Sequence, residues 1–406
     1  MFFLTKAFVL FFPMNIGLQF GGHNFFLYRI IALVFIFLYF FRDMGKIKIP
    51  ISPVIWSVFG AVFFSIFRIF SGYFDPKLLN FLLSVAFAYC FARYITGLPK
   101  EKATRLLPFL SKCSIINDFL ALVIYVVGLK MGVSLLGMMH LDVNPNYFGY
   151  LRLAGLWGDP NYFALFAIVF SVFNLYNISN SPKKIFRFAY LLNCLTIVLT
   201  FSRSGWLIFL LLNMTSFSFW KKTRNIILFT ILVISLVTIF VPIARESIDQ
   251  RLGSTYKTLG TSSSREVLWL ESLAKFFSVD DFSETGHFEK WAIGTGVGSQ
   301  YFLLEREYGV PKVPHNTYID FLIEHGFVGI FFIFMPLLSL ISVRRYKNRE
   351  AKITGVLLLI AIGGMGMFLS FSASPLPFIF YFLSFNYPPK TAKCKAIGER
   401  TLAPEL

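Results

Sequence analysis

Five arginines in separate segments carry the side chains that are best suited to bind an anion. They are Arg29, Arg68, Arg152, Arg203 and Arg265. A guanidinium presents a planar fork of N–H donors that can hold a phosphate group through two hydrogen bonds. Residue type alone leaves other roles open, because Arg29 and Arg68 can reach membrane headgroups and the rest can pair with carboxylates. The set indicates a phosphate-bearing ligand if the fold brings these segments together.

His315 is the histidine best placed for proton transfer. It lies in the segment from Val313 to Tyr318, where a long polar stretch passes into an apolar helix. The positive end of a helix dipole disfavours an imidazolium, so this ring is expected to be neutral at pH 7. A neutral imidazole can act as a general base or can orient a reacting hydroxyl. A purely structural histidine is the alternative.

The remaining residues give little support to metal or nucleotide chemistry. The five histidines lack metal-ligand spacing and no Asp-rich motif follows the first apolar segment, so no metal or other cofactor is expected. The glycines from Gly294 to Gly298 have the spacing of part of a nucleotide-binding loop. They follow no predicted strand, however, and are interpreted as a tight turn.

The composition places these residues in an integral membrane protein. The 406-residue chain is 56% apolar and 15% charged, with a mean hydropathy of +0.67. Because a spanning helix needs about 20 apolar residues, the sequence predicts an all-α polytopic fold, a single membrane domain over residues 1–406. The twelve predicted spans lie near 3–20, 25–41, 51–71, 78–97, 106–127, 160–178, 185–201, 204–220, 225–243, 317–342, 353–371 and 376–387. Lys112 and Asp118 fall inside the fifth span, and sequence analysis assigns them no role.

The distribution of Lys and Arg predicts the orientation of these spans. One set of alternating connections carries 22 of them, within residues 42–48, 93–105, 183–187, 221–224, 344–352 and 390–400. Apart from the loop at 244–316, the connections of the other set carry only Lys77, Lys130, Arg152 and Arg203. Since cytoplasmic loops retain positive charge, both termini are predicted to be cytoplasmic. The net charge of +17 is therefore mainly a topology signal.

Two long connections are predicted on the opposite side of the membrane, at residues 128–159 and 244–316. Long loops on a compact bundle usually carry function. In the second loop, Ser263 and Glu266 have the spacing of a capping box. Apolar residues from Val267 to Phe277 then recur every three or four positions, which predicts an amphipathic helix of about 12 residues.

Five segments resemble, in chain order, the marker segments of the O-antigen ligase and O-antigen polymerase superfamily. They extend over residues 150–330 and follow the predicted arrangement of spans with the large loop before the tenth. The segments are Arg152-Leu-Ala-Gly155-Leu-Trp-Gly-Asp159-Pro160-Asn161-Tyr-Phe-Ala164, Ser202-Arg203-Ser204-Gly205-Trp206, Arg265, Gly294-Thr-Gly296, and His315-Asn316-Thr-Tyr-Ile-Asp-Phe-Leu-Ile-Glu324-His-Gly326-Phe-Val-Gly329.

The resemblance implies a metal-independent glycosyltransferase of the bacterial inner membrane that acts on the periplasmic face. Its donor is a polyprenyl-diphosphate-linked glycan, undecaprenyl diphosphate in lipopolysaccharide biosynthesis. By position in the motifs, the catalytic residues carry over to Arg203, Arg265 and His315, with Arg152 a weaker match. Asn161 and Asn316 are expected to bind substrate. The N-terminal third matches in topology only, so Arg29 and Arg68 rest on residue type.

Three functions remain distinguishable by experiment. A polymerase moves the growing chain onto a lipid-linked repeat unit, whereas a ligase moves it onto lipid A core. The polymerase is favoured because no sequence feature for binding a large phosphorylated acceptor is evident. A chain-length regulator protein is a possible partner of the polymerase. A lipid-linked oligosaccharide transporter is the third reading, but repeated halves are not evident in the sequence.

The charge distribution yields a prediction about topology. A tag at either terminus should be cytoplasmic, and a tag near residue 285 should be extracytoplasmic, because the Lys and Arg excess lies in the connections on the termini's side. Protease protection in spheroplasts and in inverted vesicles measures this. Cleavage at residue 285 from the cytoplasmic side alone would contradict the orientation.

Overall fold

The protein is a mostly helical membrane protein. The computed structural model describes residues 1–13, 17–20, 23–43, 76–131, 139–141, 151–181, 183–240, 265–278, 287–299, 303, 313–341, 349–370 and 379. The helices are α1 (Phe2–Phe11), α2 (Leu27–Asp43), α3 (Pro76–Thr96), α4 (Lys100–Met131), α5 (Pro160–Asn180), α6 (Lys184–Leu199), α7 (Arg203–Phe219), α8 (Arg224–Phe240), α9 (Arg265–Phe277), α10 (His287–Ile293), α11 (Thr317–Ile341) and α12 (Arg349–Gly366).

Most predicted spans that fall in these ranges correspond to a helix. Three of them, Leu78–Ile95, Arg105–Gly128 and Pro160–Asn180, contain segments that are long and apolar enough to cross a membrane, and Phe2–Phe11 and Ile353–Gly366 are shorter apolar helices. The span at 51–71 and nearly all of 376–387 lie outside the described residues, so the count of twelve stays a prediction. The amphipathic helix predicted in the large loop is α9, although its proposed cap Ser263 is also outside these residues.

One expectation needs correction. The first span, predicted over residues 3–20, ends as a helix at Phe11, because Pro13 cannot continue the helical hydrogen bonds and its ring clashes with the preceding turn. The described structure is consistent with the predicted all-α class, to which it adds two short strand pairs. Strand β1 (Gly17–Phe20) pairs antiparallel with β2 (His23–Phe26), and β3 (Met139–Leu141) pairs antiparallel with β4 (Leu151–Leu153). Strands this short leave no periodicity that a sequence pattern can detect.

Helix α5 forms the centre of the described bundle. In its span 78% of the residues are buried, against 39% in the span of α4. Its apolar residues pack with those of α6, α7 and α12 in one continuous core. A helix that is apolar on every side is stable only when neighbours surround it. The beginning of α5 is therefore held firmly at one end of the bundle.

A buried polar cluster joins α4, α5 and α6. Asn193 Nδ2 donates to the Asp118 carboxyl group and to Ser114 Oγ, the latter at 2.9 Å. Asn193 Oδ1 accepts from Asn174 Nδ2 at 2.6 Å and from Ser114 Oγ at 3.1 Å. All four side chains are fully buried. The cluster gives Asp118 a structural role as a cross-link between helices, whereas Lys112, on the same helix, is exposed.

This cluster yields a prediction about stability. Replacing Asn193 with Ala should lower the free energy of unfolding by about 1–3 kcal/mol, because the partners in α4 and α5 lose a central donor and acceptor. Thermal unfolding of the detergent-solubilised protein measures the change. Asn180→Ala is the matched control, since Asn180 is exposed and its side-chain amide donates to Tyr176 O and Ser179 Oγ, both in the last turn of α5. Equal effects of the two substitutions would contradict the cross-link.

Candidate active site

A cavity of about 340 Å³ opens where four separate segments meet. The segments are the end of the β3–β4 pair with the start of α5, the start of α9, the connection before α11, and the residues after α12. The lining residues are Arg152, Asp159, Pro160, Asn161, Tyr162, Arg265, Val313, His315, Leu369 and Ser370. Arg152, Arg265, His315 and Asn161, all site residues predicted from the sequence, therefore meet in one place.

Arg152 is fixed by the end of a neighbouring helix. It lies on β4 opposite His140, and its side chain is only 6% exposed. Its Nε donates to the backbone oxygen of Thr200, at the C-terminus of α6, at 3.0 Å. The bond orients the guanidinium with its remaining N–H groups beside the cavity. An arginine held in this way loses little further conformational freedom when it binds an anion.

The start of α5 contributes a carboxylate and an amide to the cavity. Asp159 is the N-cap, and its Oδ1 accepts from the backbone N–H groups of Asn161 at 2.7 Å and Tyr162 at 3.2 Å. Pro160 occupies the first helical position, where its missing N–H costs nothing. The Asp-Pro pair is a strong helix-start signal that sequence analysis quoted without assigning a site role to Asp159.

Arg203 begins α7 beside this site. Its N-cap, Ser202, donates through Oγ to Asn161 Oδ1 at 2.8 Å and accepts from Gly205 N at 3.2 Å. The side chain of Arg203 is exposed, and it is not among the residues that line the cavity. Its neighbour Ser202 thus positions Asn161, which lines the cavity. A catalytic role for Arg203 stays a prediction.

His315 and Asn316 begin α11. Asn316 is buried, and its Oδ1 accepts from Tyr318 N at 3.0 Å and from Ile319 N at 3.3 Å, so it acts as the helix cap. Substrate binding by Asn316 stays a prediction, while the structure shows a positioning role. His315 has a φ of 54°, a left-handed conformation that is uncommon outside glycine. Strain of this kind persists where the surrounding structure enforces it, often at functional sites.

The starts of α5, α7 and α11 share one backbone pattern. In each, a residue with positive φ is followed by a capping residue and then by the first turn of the helix. The positive-φ residues are Gly158, Phe201 and His315, and the caps are Asp159, Ser202 and Asn316. The N-terminal ends of α5 and α11 contribute residues to the cavity lining. Arg265, the first residue of α9, lines the same cavity. Several positive helix ends at one cavity favour an anion.

Hydrogen bonds tie these segments to one another. Trp269 Nε1, one turn after Arg265, donates to the backbone oxygen of Pro314 at 2.7 Å, directly before His315. The hydroxyl of Tyr162 donates to Ser370 O, and the hydroxyl of Thr317 donates to Leu369 O. The cavity is therefore closed by contacts between segments that are far apart in the chain.

The charges around His315 oppose one another. Its side chain is exposed to the cavity, but the surrounding protein still removes part of its water. Burial lowers the pKa of His315 below its ordinary value, the positive charge of Arg265 lowers it further, and the Asp159 carboxylate raises it. The net pKa is lowered, so the ring is neutral at pH 7, as expected from its place before a helix.

The glycines after α10 form a turn that locks α11. Gly294, Gly296 and Gly298 have φ values of 80°, 102° and 89°. Thr295 N and Gly296 N donate to backbone oxygens in α11, at 2.8 Å and 3.0 Å, beside a break in that helix at Gly326. A Cβ on Gly294 would lie 2.4 Å from backbone atoms of Glu324. The interpretation of this motif as a tight turn is confirmed.

Arg29 is not among the residues that line this cavity. Arg29 lines a separate small pocket between α2 and α3, where its guanidinium lies over the rings of Phe26 and Tyr28. Arg68 lies outside the described residues. Tyr162 and Ser370 line the main cavity but were not predicted, because an aromatic in a spanning helix and a serine after one carry no distinctive sequence signal.

Residues 188–334 match the O-antigen ligase family model. The match confirms the resemblance drawn from the five motifs. It includes Arg203, Arg265 and His315, whereas Arg152, Asp159 and Ser370 lie outside the matched residues. No curated protein matches the chain significantly. The O-antigen ligase match indicates a function of the O-antigen ligase or polymerase type and a glycosyltransferase-like enzyme with lipid-linked sugar substrates.

The bond between Trp269 and Pro314 yields a prediction about ligand binding. Trp269→Phe keeps an aromatic side chain but removes the N–H donor, so α9 and the His315 segment lose a direct link. Affinity for inorganic diphosphate should fall about two- to tenfold, measured by calorimetric titration of the purified protein.

Trp291→Phe is the matched control, because Trp291 Nε1 donates to Phe276 O at 3.2 Å, at the far end of α9. That substitution should leave the affinity unchanged. A similar loss in both variants would show that the Trp269 bond has no special role at the cavity.

Proposed function

We propose that the protein is a polysaccharide (O-antigen) polymerase, a metal-independent inverting glycosyltransferase. It moves a glycan from a polyprenyl-diphosphate donor to a sugar hydroxyl of a lipid-linked repeat unit. One observation carries the proposal: Arg152, Arg265 and His315, from three distant segments, line a single cavity. The cavity combines groups that neutralise a diphosphate with a neutral base.

The departing diphosphate needs positive charge where negative charge develops. Arg152 and Arg265 supply guanidiniums, and the starts of α5 and α11 supply positive helix ends. These groups are fixed before the reaction, which is the condition under which electrostatic stabilisation is most effective. Arginines therefore perform the task that a divalent cation performs in many other glycosyltransferases.

The acceptor hydroxyl must lose its proton as it attacks. In a single displacement the acceptor oxygen bonds to the anomeric carbon, the bond from that carbon to the diphosphate oxygen breaks, and the electron pair leaves with the diphosphate. The anomeric centre is inverted. His315 accepts the hydroxyl proton, which its lowered pKa permits at pH 7 because the ring starts neutral.

The other predicted residues have supporting roles in this proposal. Arg203 lies at the start of α7, next to the Ser202 and Asn161 pair, where it can meet a diphosphate that extends beyond the cavity. Arg29 and Arg68 would contact the phosphate or headgroup region of a lipid substrate. The location proposed is the inner membrane, with the cavity on the periplasmic face, because the distribution of Lys and Arg predicts that the site lies opposite the termini.

A ligase is the second candidate, since the matched family is described as O-antigen ligase. It would use the same donor and the same cavity, and it would differ only in transferring the glycan to lipid A core. The polymerase remains the proposal because no segment for a large phosphorylated acceptor is evident in the sequence. A chain-length regulator protein would be a partner of the polymerase alone.

The proposal is tested with purified protein in lipid nanodiscs that is given undecaprenyl-diphosphate-linked single repeats as sole substrate. Chain growth should occur and should continue in EDTA. His315→Ala should lower the rate by about 10²- to 10⁴-fold, because a general base is lost. Arg265→Lys should also lower it, since lysine keeps the charge but not the fork. Gel analysis of the lipid-linked products measures chain length.

Arg224→Lys is the matched control, because Arg224 lies at the start of α8, among the connections predicted to be cytoplasmic, and donates through Nε to Phe217 O at 2.9 Å. That substitution should leave the rate unchanged. Transfer to lipid A core without chain growth would establish the ligase instead. Loss of activity in EDTA with recovery in Mg²⁺, or near-normal activity of His315→Ala, would refute the mechanism.

A further inference from the structure

The cavity contains a negative charge that diphosphate binding does not explain. Arg152 and Arg265 favour an anionic ligand, but Asp159 lines the same space. A carboxylate at an anion site weakens binding unless another step of the reaction needs it. Sequence analysis assigned Asp159 no role, and it lies outside the residues that match the family model.

Only part of the Asp159 carboxylate is engaged by the fold. Both helix-capping bonds, from Asn161 N and Tyr162 N, end on Oδ1. Among the described residues no hydrogen-bond donor reaches Oδ2, and the side chain is half-buried at the cavity wall. Capping alone would be served equally well by Ser or Asn. The capping bonds therefore leave the second carboxylate oxygen at the cavity.

His315 is the group that needs this charge. The charged side chains that line the cavity with it come from three elements: Arg265 from α9, Arg152 from β4 and Asp159 from the start of α5. Of these, Arg265 and Asp159 act electrostatically on His315. The segment after α12 contributes the uncharged Leu369 and Ser370. An imidazolium that forms at His315 would be repelled by the positive charge of Arg265. Asp159 is the acidic residue of the cavity lining that can offset this repulsion.

We propose that Asp159 is a positioning residue for proton transfer, whose carboxylate stabilises the imidazolium that forms when His315 takes the acceptor proton. The inference rests on the proposed function. As the acceptor oxygen bonds to the anomeric carbon, its proton moves to a His315 nitrogen, and the electron pair of the broken bond leaves with the diphosphate. Asp159 takes no proton in this step, and the proton is later released from His315 to water.

Asp159→Asn tests this inference, because Asn keeps the cap and the shape but removes the charge. The maximal rate should fall about ten- to a hundredfold, because the imidazolium that forms during proton transfer loses a nearby opposite charge. Removing the carboxylate lowers the pKa of His315, so the acidic limb of the pH–rate profile should move to lower pH. Affinity for inorganic diphosphate should stay equal or rise.

A double-substitution cycle separates this role from a structural one. If Asp159 acts through His315, Asp159→Asn should cause no further loss in a His315→Ala background. An equal loss in both backgrounds, an unmoved pH profile or weaker diphosphate binding would overturn the inference. Asp159→Ser, which also caps helices, should reproduce the Asn result; if it is normal, the inference fails as well.

Failure of the inference can be told apart from failure of the proposed function. If wild-type protein transfers glycan and His315→Ala is impaired while Asp159→Asn is normal, only the role of Asp159 is wrong. If wild-type protein transfers no glycan, or if His315→Ala is normal, the proposed function is wrong and the role of Asp159 in it is overturned with it.

Discussion

Capping of helices at one end of the bundle is the constraint on which the site depends. A helix that begins near a membrane surface has four N–H groups without partners inside the helix, and each must be paired. Asp159, Ser202 and Asn316 supply those partners for α5, α7 and α11. The residue before each of these caps has a positive φ. One of these residues, His315, lines the cavity.

The rest of the bundle keeps these helix starts in place. Asn193, Ser114, Asn174 and Asp118 join three helices in their interior, where no water competes for their hydrogen bonds. At the cavity itself, hydroxyls of Tyr162 and Thr317 bind backbone oxygens after α12. The fixed cavity can therefore stabilise charge without first reorganising, which is how protein groups outperform water at a reacting centre.

The electrostatics of the cavity are a balance between two requirements. In the proposed mechanism a diphosphate would be held by the positive charges of Arg152 and Arg265, whereas His315 would accept a proton in the same cavity. The positive charge of Arg265 lowers the pKa of His315 and the Asp159 carboxylate raises it. In the proposed site, Asp159 would therefore offset part of the repulsion that Arg265 exerts on an imidazolium.

The sequence by itself determined the membrane class, most helices in the described ranges, the amphipathic α9 and the turn at Gly294, because each rests on local composition or on a short repeat. It also identified Arg152, Arg265 and His315 as candidates. Only the tertiary structure decided that these three share a cavity, that Arg29 lines another pocket, and that Asp159 lines the same cavity as His315. Periodicity shows which face of a helix is apolar, but the rotation of one helix against another depends on contacts between residues far apart in the chain, which no local pattern encodes.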